Sequence, residues 1–365
     1  MKNNVINTFN NKNLNYIAEL ILPSKSAYSI QVMKMCDAFS KLGYKVNLHV
    51  LNKENQNNFR FYNCRTKFNI ISYGLKKNNF FTRLFFALLI IFKNNNSSIF
   101  YSRSIISGIF LAFINKKTVI EIHHELKGFT SVLFKLSKKF SFFRRIKFVF
   151  ITKNLKKFYR LDNINLVVGD AVDLSSFKVS KSSKLINTCV YTGSLSKGKG
   201  LEIILEVSKL LPQIKFHIYG DFSNSDFTKN DLLKYSNVHL FGHVNYEKIP
   251  KILNQYSLYL MPYLKKVYVR SNNIEVAKYM SPMKLFEYMA SDGVIIASNL
   301  KVYNSILNRK NSILINEYSI KDWKNKINNY FKDISKFNYL SKNASKDVKA
   351  YTWEKRAYLI YKLIN

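Results

Sequence analysis

Two stretches of this sequence combine glycine, lysine and an expected helix start in a way that suits phosphate binding. The first, YTGSLSKGKG, follows a strand-like run and leads into a helical one. Glycines let the backbone approach an anion, and N–H groups at a helix start point at it, while lysines add positive charge. The residues concerned are Gly193, Gly198, Gly200, Lys197 and Lys199. The turn matches neither the Walker loop nor the dinucleotide fingerprint, so an ordinary basic turn is the alternative.

The second stretch, SPMKLFEYMASDG, predicts a short helix with its own anion site. Ser281 suits the N-cap, Pro282 the first helical position, and Gly293 the residue that closes the helix. Lys284 and Glu287 are three residues apart and share one face near the positive helix end. There a lysine suits a diphosphate oxygen and a glutamate suits a pair of sugar hydroxyls. A surface ion pair on an ordinary amphipathic helix is the alternative.

A third stretch, TVIEIHHELKG, ends a β-branched strand in two histidines. His123 and His124 are flanked by Glu121 and Glu125. Functional side chains of open α/β sheets gather at the carboxyl ends of strands, so either histidine is a candidate site residue. Zinc is the competing interpretation. The sequence lacks further ligands at a recognised spacing, and we therefore expect no metal here.

These segments need a scaffold, and the start of the chain predicts a β-α-β unit. Strand-like runs at 16–22 and 45–51 flank a helical stretch from about Ser29 to Leu42, and Gly43 suits the residue after the helix. Further strands are expected at 68–73, 97–101, 117–122 and 147–152. Strands that alternate with helices favour a doubly wound parallel sheet. This first domain is expected to cover 1–165.

The same α/β rhythm restarts after a polar, Ser-rich linker at 167–184. Strands are expected at 187–193, 215–220, 238–242, 257–263 and 294–298, with helices at 200–211, 246–256 and 282–291. A second Rossmann-like domain is therefore expected at 166–345. The remaining 346–365 is predicted to be a separate terminal helix.

Composition excludes several classes of protein. Hydrophobic residues make up 47% of the 365, which excludes disorder, and three cysteines exclude a disulfide scaffold. The polar start of the chain carries no secretion signal, which favours the cytoplasm. Apolar runs at 84–92 and 105–114 are shorter than the ~20 residues of a membrane span, so we expect buried helices there.

Positive charge is in large excess and unevenly spread. The chain has 58 Lys+Arg against 22 Asp+Glu, a net charge of +36, of which residues 1–165 carry +22. Codon usage in an AT-rich genome explains part of the total and less of the asymmetry. From Leu126 to Leu161 there is no acidic residue, and basic residues alternate with phenylalanines. For 127–146 this pattern favours contact with an anionic membrane, against the alternative of core phenylalanines beneath solvated lysines.

In their order along the chain, these motifs resemble family 4 of the glycosyltransferases, of the branch with SPMKLFEYMA. The resemblance covers nearly the whole length. It includes LPSKSAYSIQVMKMCDAFSKLGYKV, EIHHE, FITKNLKK, GDAVDLSSF, YTGSLSKGKG and SPMKLFEYMASDGVIIAS. It implies an α/β protein of GT-B fold, with two Rossmann-like, doubly wound domains facing a central cleft. It also implies a retaining, hexosyltransferase-like enzyme that uses a nucleotide-sugar such as a UDP- or GDP-sugar.

Carried over by position, the resemblance implies roles for single residues. His123 matches the catalytic-pocket histidine, Lys199 the lysine on the donor diphosphate, and Glu287 the glutamate on the nucleotide ribose. The other implied donor-binding residues are Gly193, Ser194, Lys197, Ser281, Pro282 and Lys284. Two departures stand out, because Ser194 replaces the usual arginine and Tyr279 replaces the first glutamate of the E-x7-E pair. Lys284 is available to replace the lost positive charge.

The implied mechanism needs positive charge on the leaving diphosphate. Lysines and two helix starts can supply it, and no D-x-D motif occurs, so we expect no cofactor and no metal requirement. The implied partners are a nucleotide-sugar, a glycan or lipid-linked acceptor, and an anionic membrane surface reached through the N-terminal domain. The setting expected is the inner face of the membrane, in polysaccharide or lipopolysaccharide biosynthesis.

The end of the chain is too apolar for a free tail. The apolar residues that need a docking surface are Tyr351, Trp353, Tyr358, Leu359, Tyr361, Leu363 and Ile364. The family resemblance implies that this helix returns to the first domain. Packing on the second domain is the alternative.

Two rival functions remain. A non-catalytic GT-B protein is suggested by Ser194 and Tyr279, and a nucleic-acid-binding protein by charge alone. No nucleic-acid-binding motif is recognised in the sequence, so nucleic acid is not expected as a partner.

Overall fold

A computed structural model of the chain describes residues 12–93, 99–178, 183–222, 225–269, 274–316 and 318–365. The polar chain start at 1–11, the first two residues of the strand expected at 97–101, and residues 179–182 of the expected linker lie outside these ranges. The chain forms two compact units. Unit 1 comprises Met1–Asp170 and Trp353–Asn365, and unit 2 comprises Ala171–Thr352.

Unit 1 is built on a seven-stranded parallel sheet in the order β3-β2-β1-β4-β5-β6-β7. Its strands are β1 Asn13–Leu22, β2 Lys45–Lys53, β3 Asn69–Ser72, β4 Ile99–Ser102, β5 Thr118–Ile122, β6 Lys147–Phe150 and β7 Asn165–Val167. Its helices are α1 Ala27–Lys41, α2 Asn58–Phe61, α3 Phe80–Lys93, α4 Ile105–Phe113, α5 Gly128–Ser137 and α6 Lys153–Tyr159.

The local sequence explains the first β-α-β unit. β1 and the centre of β2 are buried on both faces, as in parallel strands between helix layers. Their buried polar side chains are paired, since His49 Nε2 lies 3.0 Å from Asn15 Oδ1. The Ser26 side chain accepts a hydrogen bond from the Ser29 backbone N–H and so caps α1. Gly43 follows the C-cap Leu42 with φ 88°, which is the left-handed geometry expected for a glycine after a helix.

Unit 2 is built on a six-stranded parallel sheet in the order β10-β9-β8-β11-β14-β15. Its strands are β8 Thr188–Thr192, β9 Lys215–Tyr219, β10 Val238–Gly242, β11 Leu258–Met261, β12 Tyr268–Val269, β13 Ile274–Glu275, β14 Val294–Ser298 and β15 Ile313–Ile315. Its helices are α7 Leu201–Lys209, α8 Lys229–Leu233, α9 Ile249–Leu253, α10 Met283–Ala290, α11 Ile320–Lys332 and α12 Asn338–Asp347. The short strands β12 and β13 pair with each other.

These two parallel sheets confirm the predicted pair of Rossmann-like domains. Two details differ from the sequence predictions. The helix expected at 246–256 is a 3-10 turn followed by α9, because Pro250 starts a new helical segment. Residues 165–167, at the expected start of the linker, form β7, the edge strand that pairs with β6.

The unit boundaries fall after Asp170 and Thr352, later than the expected 165 and 345. β7 extends unit 1, while Val348 belongs to the core of unit 2. Backbone pairing also joins the two ends of unit 2, since Val172 N–H donates to Tyr351 C=O at 3.0 Å. The chain therefore enters and leaves unit 2 at adjacent positions.

The last helix, α13 Trp353–Ile364, packs within unit 1 against α1, β6 and β7. Trp353, Ile360 and Ile364 are buried. Lys41 forms an ion pair with Glu354 at 3.0 Å, and Lys147 donates to the Leu363 carbonyl at 2.7 Å. The apolar face of α13 is therefore buried against other elements of unit 1.

The expectation that both apolar runs, 84–92 and 105–114, are buried is wrong for the first. α4 is buried along nearly its whole length, whereas α3 buries only Phe86, Ala87 and Ile90. α3 is apolar on both faces, so one of them remains outside when the other packs on the fold. Among the described residues, no helix is both long and apolar enough to cross a bilayer.

Candidate functional site

The glycine-lysine turn links β8 to α7 in unit 2. Gly193 has φ 125° and Gly198 φ 81°, both conformations that favour glycine. A Cβ on Gly198 would lie 1.9 Å from the Lys266 carbonyl oxygen, so the backbone itself closes on that position. A Cβ on Gly193 would lie 2.9 Å from the Lys284 amine. Gly193 thus provides the space in which the Lys284 ammonium lies.

Lys284 reaches this turn from the first turn of α10. The sequence prediction for the start of this helix is wrong by one residue. Pro282 is the N-cap, with ψ 123°, the helix begins at Met283, and no side chain caps it. Ser281 therefore precedes the cap instead of forming it, because Pro282 adopts the extended conformation of a cap residue. Leu285 N–H donates to the Pro282 carbonyl at 3.0 Å.

Lys284 is 8% exposed, and its Nζ is buried without a hydrogen-bond partner. The ammonium lies 3.5 Å from the centroid of the Tyr191 ring and 5.0 Å from that of Tyr263. Ring faces stabilise a cation weakly compared with water or a carboxylate. Burial, and then the charge of Lys199, therefore hold the pKa of Lys284 well below its usual range.

Lys199 is the second cation at this turn. Its Nζ donates to Ser194 Oγ at 2.7 Å and lies 5.9 Å from the centroid of the same Tyr263 ring. Burial lowers the pKa of Lys199 to about 8. Two buried cations thus lie at this turn, Lys284 beside Gly193 and Lys199 on Ser194, and the charge of Lys199 disfavours protonation of Lys284. This arrangement is electrostatically unfavourable until an anion joins it.

Glu287 lies one turn after Lys284 on α10 and is, like Lys284, nearly buried, at 6% exposed. The helix is tied to β8 by Tyr288, whose hydroxyl accepts the Thr192 backbone N–H at 2.9 Å. Lys197 differs from the other predicted residues because its side chain is exposed. The structure therefore brings Gly193, Ser194, Lys199 and Lys284 together, with Lys197 at the surface of the same turn.

A second polar cluster is centred on Glu121 at the end of β5 in unit 1. The buried Glu121 carboxylate accepts from Gln31 Nε2 at 3.0 Å and from Arg356 Nη2 at 2.8 Å, and it also contacts the Tyr101 hydroxyl and His123 Nε2. Although burial opposes ionisation, the Arg356 charge and His123 hold the pKa of Glu121 well below its usual range.

His123 belongs to this cluster and His124 does not. The His123 side chain is 16% exposed, and burial lowers its pKa to about 3, with the Arg103 charge adding to the effect. The ring is therefore neutral at pH 7. Since the Glu121 carboxylate only accepts hydrogen bonds, we assign the proton to Nε2, and Nδ1 is the acceptor that this ring offers. His124 is exposed, with Nδ1 2.9 Å from the Glu125 carbonyl.

Three charged members of the cluster, Arg103, Asp170 and Arg356, were not predicted from the sequence. Arg356 lies on α13, and its Nε donates to the Gly169 carbonyl at 2.9 Å. Asp170 follows in the chain, and burial raises its pKa to about 6. Arg103 Nη1 donates to Gln31 Oε1 at 2.5 Å. Of the three, only Arg356 offered a sequence signal. It lies on the otherwise apolar face of a helix, where a charge needs a buried partner.

No group of three or more His, Cys, Asp or Glu side chains is arranged as a metal site within the part of the chain that the structure describes.

Comparison with protein families assigns the lysine turn and α10 to one known domain. Residues 175–347 match the family model of the group 1 glycosyl transferases. The match spans most of unit 2 and both lysines of the site, and it indicates a glycosyltransferase. The match does not distinguish branches within the glycosyltransferases, so family 4 stays a prediction. A search of curated proteins finds no match.

Several solved structures share the fold of this chain. A glycosyltransferase from Rickettsia africae is 14% identical, with 98% of each chain covered and a TM-score of 0.74. Sucrose-phosphate synthase from Thermosynechococcus elongatus is 13% identical, with 96% and 98% covered and a TM-score of 0.70. HepE of Anabaena, solved in complex with UDP and glucose, is 12% identical, with 96% and 98% covered and a TM-score of 0.70. This likeness shows the GT-B fold.

Proposed function

We propose that this protein is a retaining glycosyltransferase that moves a sugar from a nucleotide-sugar to a lipid-linked or cell-surface glycan. The observation that carries the proposal is the buried Lys284 Nζ, which has no hydrogen-bond partner and lies beside Gly193 and Lys199. A buried cation in this state is unfavourable, and an anionic ligand relieves it. The lysine turn is thus suited to the diphosphate of a donor.

The chemistry of the leaving group agrees with this arrangement. When the bond between the sugar and the diphosphate of the donor breaks, negative charge grows on the β-phosphate. Cations held in a buried site stabilise that charge more strongly than the same cations in water. Lys284 and Lys199 are already in position, so little reorganisation is needed. We further propose that this charge replaces a metal ion and that transfer needs no cofactor.

The remaining donor contacts are proposed on α10, on the residues just before it and on the lysine turn. We assign Glu287 to the hydroxyl pair of the ribose, and Ser281, Pro282, Ser194 and Lys197 to the rim of the donor site. HepE was solved with UDP and with UDP-glucose, which supports a uridine donor for this chain as the first to test. A GDP-sugar is the alternative donor.

Unit 1 is proposed to hold the acceptor and to supply His123. The neutral His123 ring can accept a hydrogen bond from a sugar hydroxyl at Nδ1, while Glu121 holds Nε2 and fixes the ring orientation. This role rests on the position of His123 at the carboxyl end of β5. A lipid-linked acceptor would bring the protein to the inner face of the membrane.

The test is a calorimetric titration of the full chain with UDP, UDP-glucose and GDP. Lys284→Met and Lys199→Met are expected to weaken binding of the preferred nucleotide by about 10²-fold each, as the loss of a charged hydrogen bond of about 3 kcal/mol implies. Glu287→Ala is expected to weaken UDP and spare inorganic pyrophosphate. The matched control Lys251→Met removes an exposed lysine of the same unit and should change nothing.

Wild-type affinity in both lysine variants would contradict the donor site. A measurement of the hydrolysis of the nucleotide-sugar distinguishes an enzyme from the two alternative functions. Binding without any turnover would favour the non-catalytic GT-B protein suggested by Ser194 and Tyr279. Affinity for polynucleotides at physiological salt, with none for nucleotides, would favour a nucleic-acid-binding protein.

A further inference from the structure

One surface of unit 1 exposes large apolar side chains in a regular pattern. On α3, Phe81, Phe85, Leu88 and Phe92 are 78%, 52%, 40% and 83% exposed. Their spacing of four, three and four residues puts all four on one face of the helix. That face is opposite the buried Phe86, Ala87 and Ile90. An exposed stripe of this kind runs along a helix about 21 Å long and marks an interaction surface.

A second stripe runs along α5. Phe129, Val132 and Leu136 are each about half exposed, and Phe140 follows just after the helix. Both helices contact α4, and the Phe80 and Phe129 rings lie 4.7 Å apart, so the two stripes meet at their N-terminal ends. We call this combined surface of exposed side chains on α3 and α5 the aromatic face.

Positive charge surrounds the aromatic face. Exposed basic residues flank both stripes, namely Lys76, Lys77, Lys93, Lys127, Lys135, Lys138, Lys139 and Arg144. Across residues 55–161 the only acidic residues are Glu121 and Glu125. Of these, Glu121 is buried in the cluster described above. Glu125 is half-buried. An apolar surface flanked by many exposed cations and few carboxylates suits an anionic partner with an apolar interior.

We propose that the aromatic face docks on an anionic lipid bilayer, with the rings of α3 and α5 in the interface and the lysines on the headgroups. A second copy of this chain would oppose like charges across the same patch. The aliphatic Leu88, Val132 and Leu136 suit acyl chains. This proposal goes beyond the donor chemistry, and its test does not depend on turnover.

The test is flotation of the full chain with phosphatidylcholine vesicles and with mixed phosphatidylcholine and phosphatidylglycerol vesicles. The wild type is expected to bind the mixed vesicles and to dissociate as salt rises, because ions screen the lysine contacts. The variant Phe81→Gln, Phe85→Gln and Phe92→Gln should lower the partition coefficient more than about tenfold. Its matched control changes three exposed apolar residues of unit 2 to glutamine, namely Ile186, Leu210 and Phe241.

A charge variant separates the two contributions. Lys135→Glu, Lys138→Glu and Lys139→Glu should abolish the preference for the anionic vesicles, whereas the same change at Lys251, Lys301 and Lys321 should not. Thermal unfolding and far-UV circular dichroism verify the fold of each variant. Undiminished vesicle binding by the phenylalanine variant would overturn the proposal. So would self-association or polynucleotide binding through the aromatic face with no binding to vesicles.

Discussion

Replacing Lys199 with methionine is expected to stabilise the protein while it weakens nucleotide binding. Methionine has an unbranched side chain one atom shorter than lysine and suits packing near the Tyr263 ring, whose centroid lies 5.9 Å from the lysine ammonium. The substitution removes a cation that burial disfavours. A residue that lowers the stability of the free protein in order to bind a ligand is expected to show this trade-off between stability and activity.

The magnitude follows from the pKa of Lys199, which burial lowers from 10.5 to about 8. A pKa shift of one unit corresponds to about 1.4 kcal/mol. The charged form of Lys199 therefore destabilises the fold by about 3 kcal/mol at pH 7. Losing the hydrogen bond to Ser194 Oγ offsets about 1 kcal/mol of the gain. The net stabilisation of about 2 kcal/mol raises the Tm of a unit of this size by about 4–8 °C.

The pH dependence has a definite sign. A lysine whose pKa is lower in the folded state destabilises the fold fully below that pKa of about 8, and the penalty fades as pH rises towards 10.5. The advantage of Lys199→Met should therefore shrink between pH 8 and pH 10.5. Chemical denaturation of both proteins at pH 7 and pH 10 measures it. Equal or lower stability of the variant at pH 7 would refute the reasoning.

Three further predictions concern the two polar clusters. Binding of UDP near pH 8 should take up protons, because the diphosphate raises the pKa of Lys199, and calorimetry in buffers of different ionisation enthalpy measures the uptake. Arg356→Met should destabilise unit 1 by about 3–5 kcal/mol, since Glu121 then keeps a buried charge without its main partner, and Arg356→Lys should recover part of this in thermal unfolding. A strong chelator should leave transfer unchanged, and a strict need for Mn²⁺ or Mg²⁺ would contradict the proposed role of Lys284.

The alternation of strands and helices could be predicted from the sequence because each element carries its own periodicity and end signals. Ser26 caps α1 and Gly43 follows it, and both signals act within one turn of chain. The lysine turn was predictable for the same reason, since glycines, lysines and a helix start lie within ten residues. Local signals failed at Pro282, where one proline suits either the cap or the first helical position.

The sequence by itself therefore determined two α/β units, the lysine turn and the candidate histidines, all of which depend on residues close together in the chain. Only the tertiary structure decided that Lys284 lies buried beside Gly193, that Arg356 pairs with Glu121 across 235 residues, and that α3 keeps an apolar face outside. Burial and charge pairing depend on neighbours that are distant in sequence. The sequence of a helix that is apolar on both faces does not predict which face is buried, because that depends on the element packed beside it.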